Sequence, residues 1–136
     1  MNLELLRLLF DSGLLVLIWI VQLVIYPSFQ FYRKEDLLKW HKKYTPGISM
    51  IVIPLMFGQL ITSVLQFMEV RNAFTIGSII LIVMVWVITF SQFVPLHGKI
   101  AAGKANEIHL KQMLNRNWTR TFLWTIIFIW TFLQSL

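Results

Sequence analysis

Four stretches of this chain carry no charged side chain: 12–31, 47–68, 73–96 and 121–136. A helix needs about 20 residues to cross roughly 30 Å of hydrocarbon, and the first three stretches are long enough. The fourth has 16 residues, about 24 Å of helix at 1.5 Å per residue, which falls short. Its helix is therefore expected to begin near Asn117, which carries Arg120 into the first membrane turn. Composition agrees, since 13% of residues are charged against about 25% in a soluble domain. The expected fold is all-α, one integral membrane four-helix bundle over 1–136. Its spans are 12–31, 47–68, 73–96 and 117–136, and its larger loops 32–46 and 97–116. The first run ends in Tyr26-Pro27-Ser28-Phe29 with no small-residue cleavage pattern, so it reads as a retained span.

The net charge of +6 could suggest nucleic acid, but there is no basic domain apart from the loops. Ten of the twelve Lys and Arg residues fall in 33–43 or 99–120. The positive-inside rule puts those loops in the cytoplasm and both termini on the other side of the membrane. A bacterial cytoplasmic (inner) membrane is the expected location, with the lipid bilayer as first partner and no nucleic acid. The chain has no cysteine, which excludes thiolate and iron–sulfur chemistry. No Asp, Glu or Lys occupies the middle of a span, which argues against ion-coupled transport.

Within this frame, RKEDLLKWHKKY (33–44) places Leu37, Trp40, His41 and Tyr44 on one stripe, the pattern of a short interfacial helix before span two. Thr45-Pro46 reads as the cap and first residue of a new helix. Pro27 and Pro54 predict kinks or ends. Gln59, Thr62, Ser63 and Gln66 share a face and would hydrogen-bond between helices. Arg7 can pair along its own helix with Glu4 or Asp11.

The topology gathers Tyr26, Pro27, Gln30, His41, Tyr44, Gln92, Pro95, His97, Asn117, Trp118, Arg120 and Thr121 at the cytoplasmic end. The opposite end offers Glu4, Arg7, Asp11, Gln66, Glu69 and Arg71, so chemistry or binding is expected at the first. Asn117, Arg120 or Thr121, Trp124 and Phe128 form one stripe. An arginine at membrane depth costs about 2.5–3.5 kcal/mol unless paired or snorkelling. Either it reaches the surface, or it turns inward to meet tyrosine, amide or carbonyl groups and an anionic ligand group. Arg120, Asn117, Tyr26, Gln22, Gln92, Trp124 and Tyr44 are the candidate ligand-binding residues. His97 and His41 are candidates for proton transfer, because histidine titrates near neutral pH. No HxxxH or HxxE spacing marks a metal site, so no metal is expected; haem held by the two histidines is the minor alternative. Trp19, Trp86 and Trp124 are candidates for core packing or for the pocket wall.

Three motifs carry a resemblance: Tyr26-Pro27-Ser28-Phe29, Val94-Pro95-Leu96-His97 and Asn117-Trp118-Thr119-Arg120-Thr121. In their order along four spans, the chain resembles the anthrone-oxygenase-like family of small membrane proteins. The matching pieces are V-P-L and N-x-x-R-T, and Pro95, Asn117 and Arg120 carry over residue by residue. Members of the family carry asparagine after V-P-L, where this chain has His97. They often carry histidine after the asparagine of the last motif, where it has Trp118. The resemblance implies an oxygenase that acts, without a cofactor, on a polycyclic aromatic or similarly lipophilic substrate. Beside this stand a non-enzymatic accessory or homo-oligomeric subunit, glued through the polar stripes, and a haem-binding protein.

Overall fold

The computed structural model describes residues 2–136, and among them there is helix and no strand. Four helical rods follow one another: α1 (Leu3–Phe31), α2 (Lys34–Glu69), α3 (Ala73–Ala101) and α4 (Glu107–Ser135). The first three are long and apolar enough to cross a membrane. In α4 the charged and polar residues from Glu107 to Arg120 precede the apolar part. The strongest packing is of α1 against α2 and α4, with α3 closing against α4. Arg7 donates to Gln66 and Ser78, and Thr131 to Asp11. The start of α1, the end of α2, the start of α3 and the end of α4 therefore meet at one end.

The distribution of side chains inverts that of a soluble protein. Leu9, Val16, Leu23, Val24, Ile61 and Val87 are more than half exposed, whereas Arg7, Gln22, Gln59, Ser63 and Asn117 are nearly or wholly buried. An apolar exterior of this extent needs an apolar surrounding, and the helices satisfy their own backbone, as a bilayer requires.

The helices are longer than the apolar runs, and three expectations change. The interfacial helix before span two is not separate: Lys34 to Glu69 is one helix of 36 residues, with Pro46 and Pro54 inside it. Thr45 is not a cap, and its hydroxyl lies 3.4 Å from the His41 ring nitrogens. Glu35 and Asp36 favour the first turn of this helix, and burial of Leu37 and His41 in the core fixes its register beyond Pro46. Second, the stretch 97–116 is mostly helical. Only 102–106 separates α3 from α4, with Gly103 at φ +70° making the turn and a capping box between Asn106 and His109 starting α4. Third, α1 begins at Leu3, well ahead of the charge-free run 12–31, so Arg7 and Asp11 belong to the same continuous helix as that run.

Pro27 and Pro95 act alike. Each sits two residues after a wide π turn, Val21–Ile25 and Thr89–Phe93. A proline ring inside an α-helix collides with the carbonyl four residues back. The wide turn moves that carbonyl aside, with the Tyr26 amide donating to Val21 and the Val94 amide to Thr89. Such turns are frequent at functional sites.

Two glycines fix the end near the termini. A Cβ on Gly58 would stand 2.3 Å from the Phe10 ring, and one on Gly77 2.4 Å from Trp130. Each glycine is thus a notch that receives an aromatic knob. Gly77→Ala should destabilise the fold by about 1–3 kcal/mol, the usual cost of overpacking. Trp130→Leu in the same chain should restore part of that loss, as read by thermal unfolding in detergent.

Candidate functional site

The end of the bundle away from the termini holds a continuous polar cluster, built outward from Arg120. This side chain is 7% exposed, so it turns inward rather than snorkelling. Its Nε and Nη2 donate to Asn117 Oδ1 at 3.0 and 2.8 Å, one turn earlier on α4. Nη2 also donates to Tyr26 Oη at 3.1 Å, and Nη1 to Thr89 Oγ1 at 3.3 Å. The guanidinium lies over the Phe93 ring, 3.6 Å from its centroid, a cation–π contact of the kind that gains strength when desolvated. No carboxylate pairs with it: among the described residues the one salt bridge is Arg7–Asp11, at the far end.

Behind Arg120, Gln22 secures the arrangement. Its Oε1 accepts from Asn117 Nδ2 at 2.9 Å and from Thr121 Oγ1 at 3.1 Å, and its Nε2 donates to the Leu114 carbonyl. The Asn117 amide is thereby fixed with its oxygen toward Arg120. Beyond Tyr26 the cluster continues through two imidazoles. Tyr26 Oη lies 3.0 Å from His97 Nε2, and His97 Nδ1 lies 2.9 Å from His41 Nε2. The two histidine rings stack, with centroids 5.2 Å apart, and Tyr44 lies over His97 at 6.4 Å.

Beside this cluster is a cavity of about 350 Å3, within the usual size of small-molecule sites. Most of its wall is apolar, including Leu17, Ile18, Val21, Met56 and Phe93. Tyr26, Tyr44, Thr45, Ser49, Thr89, His97 and Arg120 supply the polar part, and Trp124 closes the inner end.

Of the residues singled out from sequence, Tyr26, Tyr44, His97, Arg120 and Trp124 line the cavity. Asn117 and Gln22 stand behind Arg120 as its support, and His41 stands behind His97. Gln92 is half-buried and lies outside both the cluster and the cavity wall. Trp19 donates to Thr125 and packs edge-on against Trp118, while Trp86 stacks on Phe90. Neither faces the cavity. Thr89 and Phe93 also touch Arg120 and line the cavity, although neither is among the candidates from sequence. They precede His97 at steps of four, a spacing that could have marked them.

A second buried polar cluster lies at the end of the termini. Asp11 accepts from Arg7 Nε at 2.9 Å, Thr131 Oγ1 at 2.6 Å and Gln59 Nε2 at 2.7 Å. Gln59 Oε1 accepts from Trp124 Nε1 at 3.1 Å, which ties this cluster to the cavity's inner wall. Arg7 and Asp11 pair as an i, i+4 couple, and both are fully buried. Among the described residues, no group of three or more His, Asp or Glu side chains has metal-binding proximity.

Compared with known proteins, the chain matches no family model, no curated protein and no solved structure.

Replacing Asn117 by leucine should leave Arg120 Nε without an acceptor inside the bundle and the Gln22 carbonyl with Thr121 as its one donor. Each orphaned buried group costs about 1–3 kcal/mol. Thermal unfolding in detergent should show a loss in that range, larger than the loss for Gln92→Leu.

Proposed function

We propose that the chain is a four-span membrane protein whose cavity binds a lipophilic small molecule through an electron-rich or anionic oxygen. The observation that carries this reading is Arg120, a buried guanidinium on an apolar cavity wall with no carboxylate partner. A lone buried cation is expensive. Tyr26, Asn117, Thr89 and Phe93 lessen that cost without neutralising the charge. Four of the five guanidinium N–H groups have acceptors in these bonds, and an Nη1–H remains for a ligand. A quinone, polyketide or terpenoid with a carbonyl, enolate or phenolate oxygen has the required chemistry.

The V-P-L and N-x-x-R-T motifs both fall at this site, since Pro95 shapes the turn that presents His97, and Asn117 holds Arg120. This supports extending the anthrone-oxygenase-like resemblance to activity, as oxygenation of a lipophilic aromatic bound at Arg120 with dioxygen as the oxidant. The basic residues at the cavity end support a cytoplasmic orientation for that end in a bacterial inner membrane.

Two experiments test the proposal. Purified protein should bind 2-naphthol, a lipophilic phenol, with a change in its fluorescence. Arg120→Met should weaken that binding at least tenfold, about 1.4 kcal/mol; equal affinity in variant and parent would refute the role of Arg120. Orientation is testable directly because the chain has no cysteine. Lys104→Cys should react with a membrane-impermeant maleimide only from the cytoplasm, and Asn72→Cys only from outside. Reversed labelling would overturn the topology.

A further inference from the structure

The hydrogen bonds of the cavity cluster have a direction, and it can be worked out by counting donors. Arginine only donates, so one lone pair of Tyr26 Oη is taken by Arg120. Tyr26 Oη then stands 3.0 Å from His97 Nε2, and His97 Nδ1 stands 2.9 Å from His41 Nε2. One proton occupies each of these two contacts, and two arrangements satisfy that. In the first, Tyr26 O–H donates to His97 Nε2, and His97 Nδ1–H donates to His41 Nε2. In the second, both bonds reverse, and the Tyr26 O–H points into the cavity. That cavity is walled mainly by apolar side chains, and an O–H without an acceptor there loses a hydrogen bond. In the empty cavity the first arrangement pairs every donor along the path, and it still leaves one Tyr26 lone pair unused.

We propose that Tyr26, His97 and His41 form a proton relay that takes a proton out of the cavity, with Tyr26 as the catalytic base. The inference rests on the cavity reading above and narrows the ligand to a molecule with a removable proton, such as a phenol, an enol or a C–H beside a carbonyl. The transfer balances. The Tyr26 proton passes to His97 Nε2, the His97 Nδ1 proton to His41 Nε2, and the His41 Nδ1 proton to water by way of Thr45, whose hydroxyl is 3.4 Å away. The phenolate left beside Arg120 takes the proton of the bound X–H group. The ligand becomes an anion held by Arg120, and water gains one proton. No electron moves. The relay ends in the reversed arrangement, which is the one able to carry a proton back to the product. His97 and Tyr26 line the cavity; His41 does not, and acts as a positioning residue through His97.

The tautomers can be read without any ligand, by nitrogen-15 NMR of histidine-labelled protein in bicelles. The expected spectrum has His97 protonated at Nδ1 and bare at Nε2, with a scalar coupling across the hydrogen bond from His97 Nδ1–H to His41 Nε2. His97 protonated at Nε2, or no coupling between the two rings, would overturn the relay. Tyr26→Phe keeps the ring and removes the acceptor's partner, so His97 should lose its fixed tautomer; an unchanged His97 signal also overturns it. Bound 2-naphthol gives the functional readout. At neutral pH it should show naphtholate absorbance in the parent protein, and that absorbance should be lost in Tyr26→Phe while binding persists. Binding of neutral naphthol by the parent protein refutes the base and leaves the cavity reading standing, whereas failure to bind counts against the cavity reading itself.

Discussion

A guanidinium enclosed by helices and lacking a carboxylate partner governs the architecture around it. A buried charge must be surrounded by oriented dipoles, or it will not stay charged and buried. Arg120 meets that demand from three of the four helices: Asn117 from its own helix, Tyr26 from α1, and Thr89 and Phe93 from α3. Each of these has its own support. Gln22 orients Asn117, and the two π turns allow Tyr26 and the Thr89–His97 segment to approach despite Pro27 and Pro95. The polar groups form one connected network, and such networks favour a single arrangement when every member is paired.

The second charged centre follows the opposite rule. Arg7 has its counter-ion beside it, and Asp11 is saturated by Arg7, Gln59 and Thr131. Removing one partner of a buried pair commonly costs about 3–5 kcal/mol, so this centre suits a structural role. The paired centre sits where helices start and stop near the termini, and the unpaired one sits beside the cavity. A protein that used both arginines only to join helices would have little reason to treat them so differently.

Much of this was legible in the sequence. The apolar runs predicted helices, and the spacing of Asn117, Arg120 and Trp124 put one polar stripe on α4. The convergence of Tyr26, His41, His97 and Arg120 followed from alternating the direction of successive helices. The errors have local causes. Topology brings Gln92 to the same end as the site, but its side chain lies outside the cluster and the cavity wall. The π turn at Thr89–Phe93 adds a residue and puts Phe93 and His97 inward instead. Thr45-Pro46 has the composition of a helix start, but packing of Leu37 and His41 carries the helix through it. Spacing along one helix predicts the Arg7–Asp11 pair but says nothing of the partners that Gln59, Gln66, Ser78 and Thr131 bring from the others.

The glycine notches divide the bundle into unlike halves. Phe10 in Gly58 and Trp130 in Gly77 lock the helices near the termini, where no side chain can slide without lifting a ring out of its socket. At the other end Gly47 and Gly98 meet nothing within 4 Å, and buried Phe29, Leu37, Phe93, Leu96 and Met113 pack around the hydrogen-bonded cluster. Helix spacing is thus set by rings seated in backbone notches near the termini, and by side chains meeting side chains around Arg120.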